Sequence, residues 1–237
     1  MTSRKTEAQI EALNEQFTMA SPQEVLAYFL KEYEGRIALA SSLSVEDQVL
    51  THMIALEHPD TRIFTLDTGR LFPETYQLID RTNLTYNISI EVLFPNYHKV
   101  EQMVREEGVN LFYNSVESRR RCCAIRKLEP LKRAFRDLDV YICGLRHAQN
   151  IIPQDAQLVE WDDIHGLVRL SPLVNWSEDD VWEYVHRHHV PYNKLYDKGY
   201  SDIGCEPCTR AVKPDDAARS GRWWWETRNL TLPARDS

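Results

Sequence analysis

Apolar residues recur along the chain at alternating helical and strand spacings. About Glu7 to Phe17 is polar with apolar positions at helical spacing and reads as an amphipathic helix. Ser21-Pro22-Gln23-Glu24 has the form of a capping box with proline at the first helical position, and opens a helical run through Tyr33 that Gly35 stops. Arg36-Ile37-Ala38-Leu39-Ala40 is a short apolar run that suits a buried strand, and the hydroxyl-rich turn from Ser41 to Asp47 leads into a helix carrying Val49, Leu50 and Met53. Arg62 to Leu66 reads as a second strand, Asp67-Thr68-Gly69 as a turn and Pro73-Glu74-Thr75 as a helix start. A third strand over Asn87 to Leu93, helical sequence near His98 to Glu107, a long helix from about Val116 to Phe135 and a fourth strand over Asp139 to Cys143 complete the series.

Strands alternating with helices predict an α/β fold: a parallel twisted sheet with helices on both faces, joined by right-handed crossovers. Ligands of such sheets bind beyond the carboxyl ends of strands, here Ser41 to Asp47, Asp67 to Arg70 and Gly144 to Arg146. After Asn150 the pattern loosens: Leu167 to Leu170 reads as a strand, Ser177 as the N-cap of a helix over Glu178 to His188, and Pro191 to Ser237 as an irregular segment wrapping the domain. No repeat or linker divides the chain. It reads as a single domain with N-terminal helices over about 1–35, an α/β core over 36–150 and a C-terminal lobe over 151–237.

Composition sharpens this little, since 43% hydrophobic and 27% charged is ordinary for a globular protein. The N-terminus has no apolar stretch of signal-peptide type and nothing downstream approaches a membrane span, so a cytoplasmic protein without membrane attachment is expected. A formal net charge of −8 argues against a nucleic-acid binder working through a bulk positive field.

Cysteine usage changes the picture. Four of the five cysteines fall in two pairs, Cys122-Cys123 and Cys205-Glu206-Pro207-Cys208. In a reducing compartment such pairs serve metals or catalysis. Neighbouring helical residues diverge by about 100°, so the doublet brings two sulfurs to one ion poorly. A single zinc needs four thiolates at about 2.3 Å from one centre, whereas a cubane gives each thiolate its own iron. The pattern therefore favours a 4Fe-4S cluster held by Cys122, Cys123, Cys205 and Cys208, with a structural zinc and a disulfide pair as the alternatives. Cys143 stands apart as a small buried strand residue. Cations crowd both pairs: Arg119, Arg120, Arg121, Arg126 and Lys127 beside the first, Arg210, Lys213, Arg219 and Arg222 after the second. Each alone reads as a solvated helix face; two such clusters beside one metal site point to an anionic ligand.

Two strand-end loops carry further chemistry. Serines and backbone amides in Ser41-Ser42-Leu43-Ser44 suit phosphate or sulfate oxygens at a helix start, although the loop lacks the glycines of a tight phosphate cradle and an ordinary capped turn is the alternative. In Asp67-Thr68-Gly69-Arg70, Asp67 and Thr68 are placed to meet a nucleoside, Gly69 permits close backbone approach and Arg70 supplies a planar donor fork.

Taken together, Ser41 to Asp47, Leu66 to Thr75, Cys122-Cys123 with Arg126-Lys127, Gly144-Leu145-Arg146, Ser171-Pro172-Leu173, Trp176-Ser177, Pro191-Tyr192-Asn193, Cys205 to Thr209 and Arg219 to Trp224 resemble the sulfonucleotide reductases, of the assimilatory adenylyl-sulfate reductase type. The resemblance spans about Ala38 to Glu226. It implies an adenine-nucleotide α-hydrolase-like fold, a 4Fe-4S cluster on the four paired cysteines, adenosine 5′-phosphosulfate as substrate and thioredoxin as the reducing partner. By matching position it implies a substrate-binding set of Ser41, Ser42, Ser44, Asp47, Leu66, Thr68, Gly69, Arg70, Lys127, Gly144, Arg146, Arg219 and Arg222. In the family a C-terminal cysteine thiolate attacks the sulfate sulfur, releases AMP and leaves a thiosulfonate, from which thioredoxin frees sulfite.

The chain departs from that pattern after the tryptophans. The family reads Glu-Cys-Gly-Leu-His or close to it; here Trp225-Glu226-Thr227-Arg228 follows, and no cysteine comes after Cys208. Three explanations stand: a C-terminus altered or truncated relative to an active protein, a non-reducing homologue that binds nucleotide or senses through its cluster, or Cys143 as substitute nucleophile. An ATP-dependent adenylating sulfur-transfer enzyme is a further alternative, and would need a glycine-bearing pyrophosphate loop that Ser41 to Asp47 lacks. The Trp223 to Trp225 run is expected to pack the C-terminal segment rather than to form an exposed docking surface. His186, His188 and His189 are expected to be late helix positions and not ligands.

Overall fold

The computed structural model describes residues 7–147, 156–213 and 216–229. Helices α1 (Glu7–Gln16) and α2 (Pro22–Glu32) open the chain. The capping box read from the sequence closes as expected: Ser21 Oγ accepts from the Glu24 amide, and the Glu24 carboxylate accepts from the Ser21 amide. Helix α2 buries Val25, Leu26, Phe29 and Leu30. Then follow β1 (Ile37–Ala40), α3 (Val45–Glu57), β2 (Arg62–Leu66), α4 (Pro73–Tyr86), β3 (Glu91–Leu93), α5 (Tyr97–Glu107), α6 (Val116–Cys123) and α7 (Glu129–Ala134). The series ends with β4 (Val140–Ile142), β5 (Val159–Asp162), β6 (Leu167–Leu170), α8 (Glu178–His188) and α9 (Trp224–Asn229). Among the described residues, no helix is long and apolar enough to cross a membrane.

The strand order is β3-β2-β1-β4-β6-β5, with β1–β2, β1–β4 and β4–β6 parallel and β5–β6 antiparallel. The sheet is thus mostly parallel, with one antiparallel edge that the hydrophobic pattern did not announce. Chain direction across the sheet reverses between β1 and β4. At that switch point lie the loops leaving Ala40 and Ile142, the usual place for a ligand site in such sheets.

Three boundaries differ from the sequence reading. The third strand begins at Glu91 because α4 runs to Tyr86 and Asn87 leaves it in the left-handed region at φ 52°. Asn83 Oδ1 then accepts from the Ile90 amide at 3.0 Å, so 87–90 form a helix exit. The long helix over 116–135 is broken by a π turn at Ala124–Leu128 between α6 and α7. Pro130 has no amide to offer the Arg126 carbonyl, which weakens the α-helical ladder across that turn. The strand β5 was not expected at all. Its edge is met by Asn14 of α1, whose Nδ2 donates to Val159 O and whose Oδ1 accepts from Val159 N, both at 2.9 Å.

The described residues gather into two compact units. One comprises those within 1–65, 75–92 and 134–193, the other those within 66–74, 93–133 and 194–237. The first unit's core includes Phe29, Leu39, Leu50, Phe64, Leu78, Ile142, Leu170 and Leu173, all essentially inaccessible. In the second, Met103, Leu111, Phe112, Cys122, Cys208 and Trp225 form one buried apolar cluster.

Candidate functional site

In the first unit the loops after β1 and β4 are organised by two adjacent buried carboxylates. Ser42 donates to Asp47 Oδ2 from both its amide and its hydroxyl at 2.7 Å, and the Gly144 amide donates to Asp47 Oδ1 at 2.9 Å. Burial pushes the Asp47 carboxyl up, against these hydrogen bonds, which hold it down. Ser44 caps α3 by accepting from the Asp47 amide at 3.2 Å, and Ser41 Oγ accepts from the Leu43 amide at 3.1 Å, with Leu43 at φ 61°. A Cβ on Gly144 would stand 2.7 Å from both Asp47 Oδ1 and Glu46 Cβ, so only glycine lets the two loops approach.

Glu46 faces Arg146, whose Nε and Nη2 donate to Glu46 Oε1 at 3.0 and 2.6 Å, each side chain 5% exposed. Arg146 Nη1 also donates to the Trp176 carbonyl at 3.4 Å. The guanidinium expected to meet substrate is therefore engaged by the fold's own carboxylate. Glu46 was missed by sequence reasoning, although an acidic pair at the start of α3 was visible. Cys143 lies 3.6 Å from Ser171 Oγ, and burial pushes its thiol up to about 11, the opposite of an activated nucleophile.

The second unit gathers both cysteine pairs. No cysteine is in a disulfide. Cys122 and Cys123 end α6 beside the π turn, and Cys205 caps a short 3-10 turn that Cys208 closes. Thr68 Oγ1 lies 3.2 Å from Cys205 Sγ. The carbonyl of Arg70 accepts from the Glu206 amide at 2.8 Å and Tyr113 donates its hydroxyl to Pro207 O at 2.9 Å, so the second pair is pinned from two sides. Arg70 itself stacks over Phe112 at 5.6 Å and donates to Val109 O and Asn110 Oδ1. Gly69, at φ 70°, takes a place where a Cβ would sit 3.3 Å from Arg126 Nη1.

The π turn has a visible result: it carries Arg126 inward, 8% exposed, where Nη1 donates to Thr68 O at 2.6 Å and the guanidinium meets the Cys122 thiol. Lys127 lies on the same turn, half-buried. Burial raises the Cys122 thiol, with Cys123 and Cys205 adding to the rise and Arg126 opposing it. Burial together with Cys205 and Cys123 pushes Cys208 up to about 12. The thiols thus share one low-dielectric neighbourhood, in which several thiolates cannot coexist without positive compensation. Among the described residues, no three His, Cys, Asp or Glu are arranged to hold one metal ion.

The Arg219 to Trp223 segment pairs with the second cysteine turn. Thr209 bridges Arg222 in antiparallel sense, Arg210 donates its amide to Gly221 O at 3.1 Å, and the Trp223 amide donates to Cys208 O at 3.3 Å. Arg222 and Arg219 both pair with Asp202, at 3.0 and 3.1 Å, and both lie over the Trp223 ring. Trp223 adopts φ 48°, a costly conformation for a bulky residue, and its buried Nε1 has no protein partner, as is true of Arg222 Nε. The tryptophans pack as expected: Trp225 is buried, and Trp223 and Trp224 lie against the same cluster. His188 lies against His52 within the first unit, with the rings tilted by 41° and their centroids 5.2 Å apart.

A model of the phosphoadenosine phosphosulfate reductase domain matches residues 36–211. An adenosine 5′-phosphosulfate reductase of Burkholderia cepacia is 44% identical over 198 residues, covering 84% of this chain and 79% of the relative. A protein of the same name from Sinorhizobium fredii is 41% identical over 226 residues, covering 95% and 90%. Among solved structures, a phosphate complex of phosphoadenylyl-sulfate reductase from Candida auris superposes with a TM-score of 0.77 at 24% identity, over 90% of this chain and 100% of that one. An NH3-dependent NAD synthetase from Campylobacter jejuni reaches 0.51 at 10% identity, over 95% and 89%. These two likenesses concern the fold, which is the adenine-nucleotide α-hydrolase-like one that the resemblance implied. From the match over 36–211 and identities above 40%, this chain belongs to the phosphoadenosine phosphosulfate reductase domain family.

Proposed function

We propose that this chain is an adenosine 5′-phosphosulfate reductase of sulfate assimilation, acting in the cytoplasm, which binds a 4Fe-4S cluster on Cys122, Cys123, Cys205 and Cys208 and uses thioredoxin as reductant. The observation that carries the reading is the meeting of two sequence-distant cysteine pairs in one apolar cluster beside Arg126 and Arg222. The donor set fits the group. Burial and the neighbouring cysteines hold the Cys122 and Cys208 thiols toward the neutral form, Arg126 stands beside Cys122, and Trp223, whose Nε1–H is orphaned, packs against the same cluster. When bound, the cluster gives each thiolate its own iron and disperses their negative charge.

The chain's own residues supply the rest. Lys127, Arg219 and Arg222 are the cations for the phosphosulfate, with the arginine forks matching paired anionic oxygens. Leu66, Thr68, Gly69 and Arg70 in the second unit, and Ser41, Ser42, Ser44, Asp47, Gly144 and Arg146 in the first, complete the proposed binding set. Within it, Asp47 and Arg146 shape their loops through the contacts already described. Two cysteine pairs favour the 5′-phosphosulfate over its 3′-phosphorylated analogue, whose reductases typically lack them.

Sulfur transfer needs a thiolate that attacks the sulfate sulfur, breaks its bond to the AMP phosphate oxygen and carries the sulfonate until a thioredoxin dithiol releases sulfite and becomes a disulfide. The cluster cysteines are committed and Cys143 is held neutral by burial. A second reading follows from Glu226-Thr227-Arg228 standing where the family places its cysteine: a homologue that binds cluster and nucleotide without reducing it. Anaerobically purified protein incubated with adenosine 5′-phosphosulfate, followed by intact-mass and iron analysis, separates the two. A sulfonate adduct on a mapped cysteine supports the reductase. Bound nucleotide and retained iron without adduct support the second reading, and absence of both iron and nucleotide binding overturns both.

A further inference from the structure

The cysteine pocket is tied to the C-terminal helix α9 by a charged relay that none of the roles above uses. Arg119 stands on α6 one turn before Cys123, on the same helix face. Its guanidinium lies 4.3 Å from the centroid of the Trp223 ring, donates from Nε to Glu226 Oε1 and from Nη2 to Oε2 at 3.3 Å, and is near enough to the Cys123 sulfur to interact with its charge. The two side chains are 13% and 24% exposed, so solvent screens the pair weakly. A planar fork held along one edge by a carboxylate, with its face on an indole, has little freedom to turn. Glu226 is one residue beyond Trp225, whose indole is buried among Phe112, Cys122 and Cys208, so α9 cannot lift away without taking the carboxylate with it.

We infer that Glu226, acting through Arg119, is a positioning residue for the cysteine centre: the docking of α9 sets how much positive charge the Cys123 sulfur meets. With Glu226 paired, the guanidinium is largely compensated; with Glu226 withdrawn, its whole charge faces the sulfur. Linkage makes the effect reciprocal, so a change of charge at Cys123 alters the hold on α9. Groups just outside a metal's ligands act in this way, by orienting a ligand and tuning its donor strength. The inference rests on the proposed cluster.

Resonance Raman spectroscopy of the iron-loaded protein tests it, because the terminal iron–sulfur stretch reports electron density on cysteine sulfur. Glu226→Gln is expected to shift that band down, since the uncompensated cation withdraws density. Arg119→Gln should shift it up, and Arg119→Lys should return it toward the native position. Shifts of the same sign in Glu226→Gln and Arg119→Gln, as a merely loosened pocket would give, overturn the inference, and so does an unmoved band. Should Glu226→Gln not fold, hydrogen exchange of the native protein decides: faster exchange of the α9 amides on iron removal supports the linkage, and equal exchange overturns it. A protein that takes up no iron overturns the functional reading instead, whereas iron uptake with an unmoved band overturns this inference alone.

Discussion

The loops after β1 and β4 in the first unit, and the cysteine pocket in the second, both gather charge out of water, yet they balance it in opposite ways. Around Glu46 and Asp47 every strong charge meets a partner from the chain: Arg146 on one carboxylate, two amides and a hydroxyl on the other. Around the cysteines the chain leaves a surplus, with the Cys122 and Cys208 thiols pushed up by burial and by neighbouring cysteines, a buried indole N–H without a partner and a tryptophan at φ 48°. The first region is complete as folded polypeptide. The second keeps donors that the described polypeptide leaves unused.

That contrast can be broken or sharpened by experiment. The largest effect is expected from removing the iron of the proposed cluster: hydrogen exchange over 205–213 and 219–229 should rise by orders of magnitude while β1 and β4 stay protected, and equal loosening of both regions would break the comparison. Next is Glu46→Gln, which leaves a buried guanidinium without its counter-charge and should lower unfolding stability in urea by about 3–5 kcal/mol with iron content unchanged. Gly144→Ala forces a methyl into the space beside Asp47 and should cost about 1–3 kcal/mol in the same assay. The smallest effect is in pH dependence. Burial, with His188 adding, holds the His52 imidazole below its ordinary range. The unfolded chain then binds the proton more tightly, so stability is present above the unfolded imidazole value and is lost as pH falls through it toward the lower folded one. His52→Gln should flatten that slope in thermal unfolding scans.

Legibility in the sequence follows the range of the forces involved. The strands β1, β2 and β4 and the caps at Ser21 and Ser177 were visible because apolar runs and capping boxes are local signals. The strand β5 was invisible because Val159-Glu160-Trp161-Asp162 carries two acids and owes its form to β6 and to Asn14, 145 residues away. The cysteine pairs announced a centre by spacing alone. What the spacing could not tell was that Arg126 reaches Thr68 across 58 positions, that Arg119 reaches Glu226 across 107, and that Arg146 is engaged by Glu46. The π turn that aims Arg126 inward left only Pro130 as its trace, since its apolar spacing imitates an unbroken helix.

The clasp of Asn14 on Val159 bears on how the protein behaves in concentrated solution. A strand at the margin of a sheet offers unpaired amides and carbonyls to any passing chain, and natural proteins guard such margins. Here one carboxamide occupies both backbone groups of Val159, doing locally what a seventh strand would do. Trimming the first helix to shorten the chain would remove that guard, and the cost would appear as strand-to-strand self-association more than as loss of the fold.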